Sequence, residues 1–123
     1  MAVVFTVPWY ATGFRGDQFE AALQEIGPVA LRYGATDWTI YRYNDDRYKF
    51  QQMATFEGAG DYTLYWNGPE FSAWRADYAG WYQVPVVYTP MTLVAFGQLS
   101  GEENGNGSGV SPARAEPSSG PRR

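Results

Sequence analysis

A chain of 123 residues, 45% of them hydrophobic, has room for one domain with a compact core. It contains neither Cys nor His, which excludes a disulfide framework, a thiolate metal site, and catalysis or haem ligation by imidazole. The net charge of −4 falls wholly on residues 1–99, and an acidic domain without a basic stripe suits neither nucleic acid nor an anionic membrane.

Val3 to Tyr10 alternates, with Val3, Phe5, Val7 and Trp9 on one face and Val4, Thr6, Pro8 and Tyr10 on the other. Apolar residues on both faces predict a strand covered on both sides, with Pro8 marking an edge, a bulge or its end. Asp17 opens a helix, since Asp17-Gln18-Phe19-Glu20 resembles a capping box. Phe19, Ala22, Leu23 and Ile26 follow at helical spacing, Gly27-Pro28 should kink or divide the helix, and Gly34 should stop it. Thr36 to Tyr43 and Arg47 to Phe56 read as two strands of a hairpin around Asn44-Asp45-Asp46. Asp61 begins a second helical region, with Asn67 as a cap before Pro69 and a stripe of Phe71, Trp74, Tyr78 and Trp81. Val84 to Phe96 is a last extended segment, limited by Pro85 and Pro90.

From Ser100 onward the chain has no aromatic residue and a single Val. Such a segment cannot bury enough apolar surface to offset its ordering entropy, so residues 1–99 read as the domain and 100–123 as a disordered tail. The first residues lack a basic stretch followed by a long apolar run, and no stretch is long enough to span a membrane, so a cytoplasmic protein is expected.

The order β-α-β-β-α-β predicts an α+β ferredoxin-like plait with an antiparallel sheet and both helices on one face. The other face then carries large apolar side chains, and a two-fold homodimer with those faces packed together would cover them.

Ten Tyr, seven Phe and five Trp, mostly between Trp38 and Tyr88, suit a pocket for a small hydrophobic or aromatic molecule. Trp38, Tyr48, Phe50, Gln52, Tyr65, Trp74 and Tyr78 are candidate ligand contacts, though the same rings would equally serve a core or a dimer face. Gln52 shares a strand face with aromatics and needs a partner: either a ligand carbonyl or another core group. Arg42, on one face with Trp38 and Ile40, is either paired in a salt bridge or lines a pocket. Asp37, Asp45 and Asp46 lack EF-hand spacing and Gly58-Ala59-Gly60 lacks a phosphate-loop Lys, so neither a metal nor a cofactor is expected.

The run Phe50-Gln51-Gln52-Met53-Ala54-Thr55-Phe56-Glu57 leading into a helix, followed by Gly68-Pro69-Glu70-Phe71, resembles the dimeric α/β-barrel superfamily. The closest likeness is to antibiotic-biosynthesis-monooxygenase-type domains, over most of residues 3–97. The resemblance implies a dimeric α/β barrel with a pocket between sheet and helices. Some such domains are cofactor-independent monooxygenases of phenols or quinols, others degrade haem, isomerise lactones or cyclise polyketides. Where relatives commonly carry His, this chain has Leu64-Tyr65-Trp66-Asn67, so haem and His chemistry are disfavoured. Trp66 and Asn67 resemble the Trp and Asn used by some monooxygenases, which makes Arg42, Trp66 and Asn67 the catalytic candidates. The alternative is a non-enzymatic carrier, sensor or assembly subunit whose aromatics build the core and the dimer face.

Overall fold

The computed structural model describes residues 2–99. The chain divides into two units, 1–93 and 94–123. Within the second, residues 94–99 adopt no regular secondary structure, and the expected tail lies outside the described residues.

The expected plait is present: β1 (Val3–Tyr10), α1 (Gly16–Ile26), a 3-10 segment (Pro28–Tyr33), β2 (Ala35–Arg42), β3 (Lys49–Phe56), α2 (Asp61–Asn67), α3 (Pro69–Asp77) and β4 (Thr89–Thr92). The strands lie in the order β2-β3-β1-β4, all neighbours antiparallel. β1 and β2 thus run the same way with β3 between them, the split β-α-β unit that the element order implies.

Register sets the two faces. Trp9 lies opposite Phe50, Val7 opposite Gln52, Phe5 opposite Ala54, and across β3 come Arg42, Ile40 and Trp38. On β1 and β3 this face is sealed by Phe19, Leu23 and Ile26 of α1, Tyr65 of α2, and Phe71 and Trp74 of α3. The helices contribute that stripe because their apolar residues recur at three- and four-residue spacing. The opposite face, with Val4, Pro8, Tyr10, Tyr41, Gln51, Met53 and Met91, stays half-buried or exposed in the single chain. The expected cover on both sides is therefore present on one only. On that open face Thr6 is buried, and its Oγ1 has no hydrogen-bond partner.

Gly27-Pro28 divides the first helix, and Gly34 ends the 3-10 segment in the left-handed conformation, φ 96°. Gly27 itself is helical, so its φ does not require glycine. A Cβ there would stand 2.6 Å from Cε3 of Trp38; the close approach of the indole is what excludes a larger residue.

Four expectations are corrected. Arg15, not Asp17, is the N-cap of α1, and Asp17 lies inside the helix with no side-chain cap bond. Gly68, not Asn67, caps α3. The α3 helix ends at Asp77, so Tyr78 caps it and Trp81 lies beyond. The last strand is only Thr89–Thr92, because the Val84-to-Tyr88 approach carries Pro85 and does not pair as a strand.

Tyr33 ties the 3-10 segment to α3 by donating to Glu70 Oε1 at 2.5 Å, with Arg32 Nη2 3.6 Å from Oε2. The Tyr33 hydroxyl, and then the carboxylate's own backbone N–H, hold Glu70 below its ordinary 4.5. The same bond, with some burial, raises Tyr33 above 10.0. A lowered acid stabilises the fold above its unfolded value and loses this as pH falls through the folded one, and a raised phenol does the reverse at the alkaline end. Thermal midpoints of the native chain should therefore fall below about pH 4.5 and above about pH 10 more steeply than those of Tyr33→Phe. Identical pH profiles would assign the slopes to other groups.

Candidate functional site

The space between sheet and helices is filled. Trp9 packs against Phe19, Trp74 and Tyr82 at ring-centroid distances of 5.7, 5.3 and 5.0 Å, and Tyr65 and Trp66 each lie 4.8 Å from Phe71. One polar chain threads this core. Trp9 Nε1 donates to Gln52 Oε1 at 3.0 Å, Gln52 Nε2 donates to the Tyr65 hydroxyl at 3.0 Å, and Tyr65 donates to the Ile26 carbonyl at 2.6 Å. Gln52 is thus a satisfied core amide. Burial pushes the Tyr65 phenol well up, against a smaller opposing effect of Gln52, so it holds its proton at neutral pH. Trp74 is equally enclosed, donating Nε1 to the Ala22 carbonyl at 2.8 Å.

One open space lies at the β2 edge. A groove of about 320 Å³ between α1 and the sheet is lined by Glu20, Gln24, Trp38, Ile40, Arg42 and Phe50. It exists because β2 is an edge strand and α1 covers β1 and β3 more fully than β2. Trp38 and Ile40 are consequently half-exposed, whereas Phe50 beside them is buried.

Arg42 forms one end of this groove. Its side chain is 14% exposed and lies 5.1 Å over the Phe50 ring. Nε donates to the Arg47 carbonyl at 2.7 Å, and Nη1 donates to Asp17 Oδ1 at 2.8 Å and Glu20 Oε1 at 2.9 Å. Burial alone would lower the guanidinium pKa, but the two carboxylates outweigh it and raise it. Both sequence alternatives for Arg42 therefore hold together: it is paired and it borders a groove. Asp17 and Glu20, three apart on α1, meet the same nitrogen because that spacing puts both on one helix face. Nη2 makes no hydrogen bond among the described residues, and Gly16 leaves room for it, since a Cβ there would stand 2.6 Å away.

The other candidates are dispersed. Trp66, in α2, packs over Phe5, Trp9, Phe71 and Tyr88, and Arg75 lies 4.1 Å over its ring. Asn67 ends α2 exposed, with no side-chain hydrogen bond among the described residues. No contact joins either to Arg42, which lies on the α1 and β2 side of the sheet. Tyr78 caps α3 and donates to Glu25 Oε1 at 2.8 Å, a bond that raises its pKa. Tyr48 lines a separate cleft with Phe14, Gly16, Asp17, Gln18, Arg42 and Arg47. Sequence reading missed Glu20, Gln24 and Ile40 as groove residues. Ile40 was legible, since it shares the β2 face with Trp38 and Arg42; the α1 pair depended on a long-range contact. Among the described residues, no cluster of three acidic side chains could hold a metal ion, and no helix is long and apolar enough to cross a membrane.

No protein-family model matches this chain, and no curated protein matches it in sequence. Solved structures do. A Nitrosomonas europaea protein provisionally named an antibiotic biosynthesis monooxygenase is 18% identical, with a TM-score of 0.66 over 73% of this chain and 88% of that one. SnoaB, a cofactor-independent oxygenase from Streptomyces nogalater, is 14% identical with a TM-score of 0.66, over 77% of this chain and 95% of that one. Rv0793 from Mycobacterium tuberculosis is 12% identical with a TM-score of 0.66, over 78% and 98%. At such identities the likeness is one of fold, and the fold of this chain is the ferredoxin-like plait of the antibiotic-biosynthesis-monooxygenase-type structures.

Proposed function

We propose that this chain binds a small, flat hydrophobic or aromatic molecule in the groove between α1 and β2. The observation that carries the reading is the uncovered floor of Trp38 and Ile40, beside the Phe50 ring, on a sheet face where Phe5, Val7, Trp9 and Phe56 are sealed. Asp17 and Glu20 offset the charge of Arg42, so the groove favours a neutral ligand. Arg42 Nη2 keeps donor capacity for a phenol or carbonyl oxygen at one end. Titration with 2-naphthol should show saturable binding that Trp38→Ala weakens about tenfold. Unchanged affinity in that variant would remove the groove from the argument.

The fold neighbours suggest cofactor-independent oxygenation as the chemistry, and the proposal extends to it in one form. Arg42 would hold the oxygen of a phenolic or quinol substrate as its proton passes to solvent. Oxygen uptake with such a substrate, without added flavin or metal, is expected, and Arg42→Ala should abolish it. Uptake indifferent to that substitution would discard the role of Arg42.

A second reading has its own support, namely the filled core. Tyr65 and Gln52 are spent on packing, and Trp66 and Asn67 do not converge on Arg42. Ligand binding without oxygen uptake would therefore mark a carrier or sensor. In either case the open sheet face favours a homodimer, and a cytoplasmic location goes with this reading. Native mass spectrometry of the purified chain reports subunit number and any retained compound together. A monomer there would refute the dimer.

A further inference from the structure

The β1–α1 loop holds an oddity that neither packing nor the groove explains. Phe14 is 97% exposed and has φ 64°. A side-chain-bearing residue is strained in that left-handed region, and a ring that touches almost nothing recovers none of the strain by burial. Phe14 borders a cleft of about 320 Å³ formed where the β1–α1 loop, the start of α1 and the β2–β3 turn meet.

The lining chemistry is polar and cationic. The Tyr48 hydroxyl accepts a long hydrogen bond from the Phe14 N–H, 3.4 Å, and its own proton is committed to no partner among the described residues. Arg47 uses only Nη1, donating to the Tyr43 carbonyl at 3.2 Å and to Asn44 Oδ1 at 3.4 Å. Its Nη2 and Nε make no hydrogen bond among the described residues. Asp17 also lines the cleft, but its carboxylate is already bonded to Arg42. The donors left to recruit an anion are therefore Arg42 Nη2, beside Gly16, and Arg47, with the Tyr48 hydroxyl as a third and the Phe14 ring as a flat apolar surface beside them.

We propose that this cleft is a second binding site, for a small aromatic carboxylate. The ring lies against Phe14, and the carboxylate accepts from Arg47 and Tyr48, a charge-assisted arrangement that a neutral aromatic cannot reproduce. The site shares Arg42 with the Trp38 groove, so variants of Arg47 and Phe14, which lie outside that groove, separate the two readings.

The test titrates the full chain with 2-naphthoate and with neutral 2-naphthamide. The naphthoate should bind saturably and about tenfold more tightly than the amide. Arg47→Gln should erase that difference. Phe14→Gly should weaken the naphthoate about tenfold while leaving the melting temperature unchanged or higher, because glycine adopts this backbone without strain. Absence of saturable binding at millimolar naphthoate, equal affinity for the two probes, full retention in Phe14→Gly, or a lower melting temperature in that variant would each overturn the proposal.

Discussion

Trp9→Ala should lower the unfolding free energy by about 3–5 kcal/mol. The side chain is 1% exposed and meets rings from α1, α2, α3 and the segment after α3. Truncation therefore removes the piece against which all these elements pack, and rings so interlocked cannot all relax into the space. A domain of this size has about 5–15 kcal/mol in total, so the variant should be marginal at 25 °C. Urea unfolding followed by circular dichroism gives the value. A loss under about 1 kcal/mol would mean that the core closes around the gap, contrary to the packing described. Trp9→Phe should cost less, keeping much of the ring while dropping the indole N–H.

Gln52→Leu should cost about 1–3 kcal/mol despite conserving volume, because it leaves the Trp9 N–H buried without an acceptor. Tyr65→Phe should fall in the same range, since it orphans the Ile26 carbonyl and one amide hydrogen of Gln52. The three groups form one chain of bonds, so the double variant should cost less than the separate losses added together. Strict additivity would show that the bonds act independently. A neutral Gln52→Leu would show that the amide contributes nothing net.

Much of the fold was legible because it rests on local pattern. Alternation in Val3–Tyr10 and Lys49–Phe56 gave the face that packs on the helices, and Gly27-Pro28 announced the division of the first helix. Caps were not legible, since whether Asp17 or Arg15, Asn67 or Gly68 stands at the helix start depends on a backbone turn that several residues can make. The last strand was overextended because Val84 to Tyr88 has strand-like composition, while Pro85 and the position of the sheet edge decide where pairing occurs. For the site, the shared face of Trp38, Ile40 and Arg42 followed from strand period. The partners of Arg42, 22 and 25 residues away, follow only from how α1 lies on the sheet. Composition could not separate Tyr65 and Trp74, which are core, from Trp38, which borders open space, because tyrosine and tryptophan suit both settings.

A core built of touching aromatic rings is also an optical circuit. Excitation absorbed by any of the tyrosines passes by resonance to a nearby tryptophan, and from there toward whichever indole has the lowest-energy excited state. Trp9 and Trp74 are enclosed, whereas Trp38, Trp66 and Trp81 reach partly into water and are stabilised by its reorientation. Trp38, which with Ile40 floors the β2-edge groove, is one of these three indoles and stands apart from the interlocked rings of the core. The emission of the unlabelled chain therefore reports occupancy of that groove by shift or quenching, without any dye.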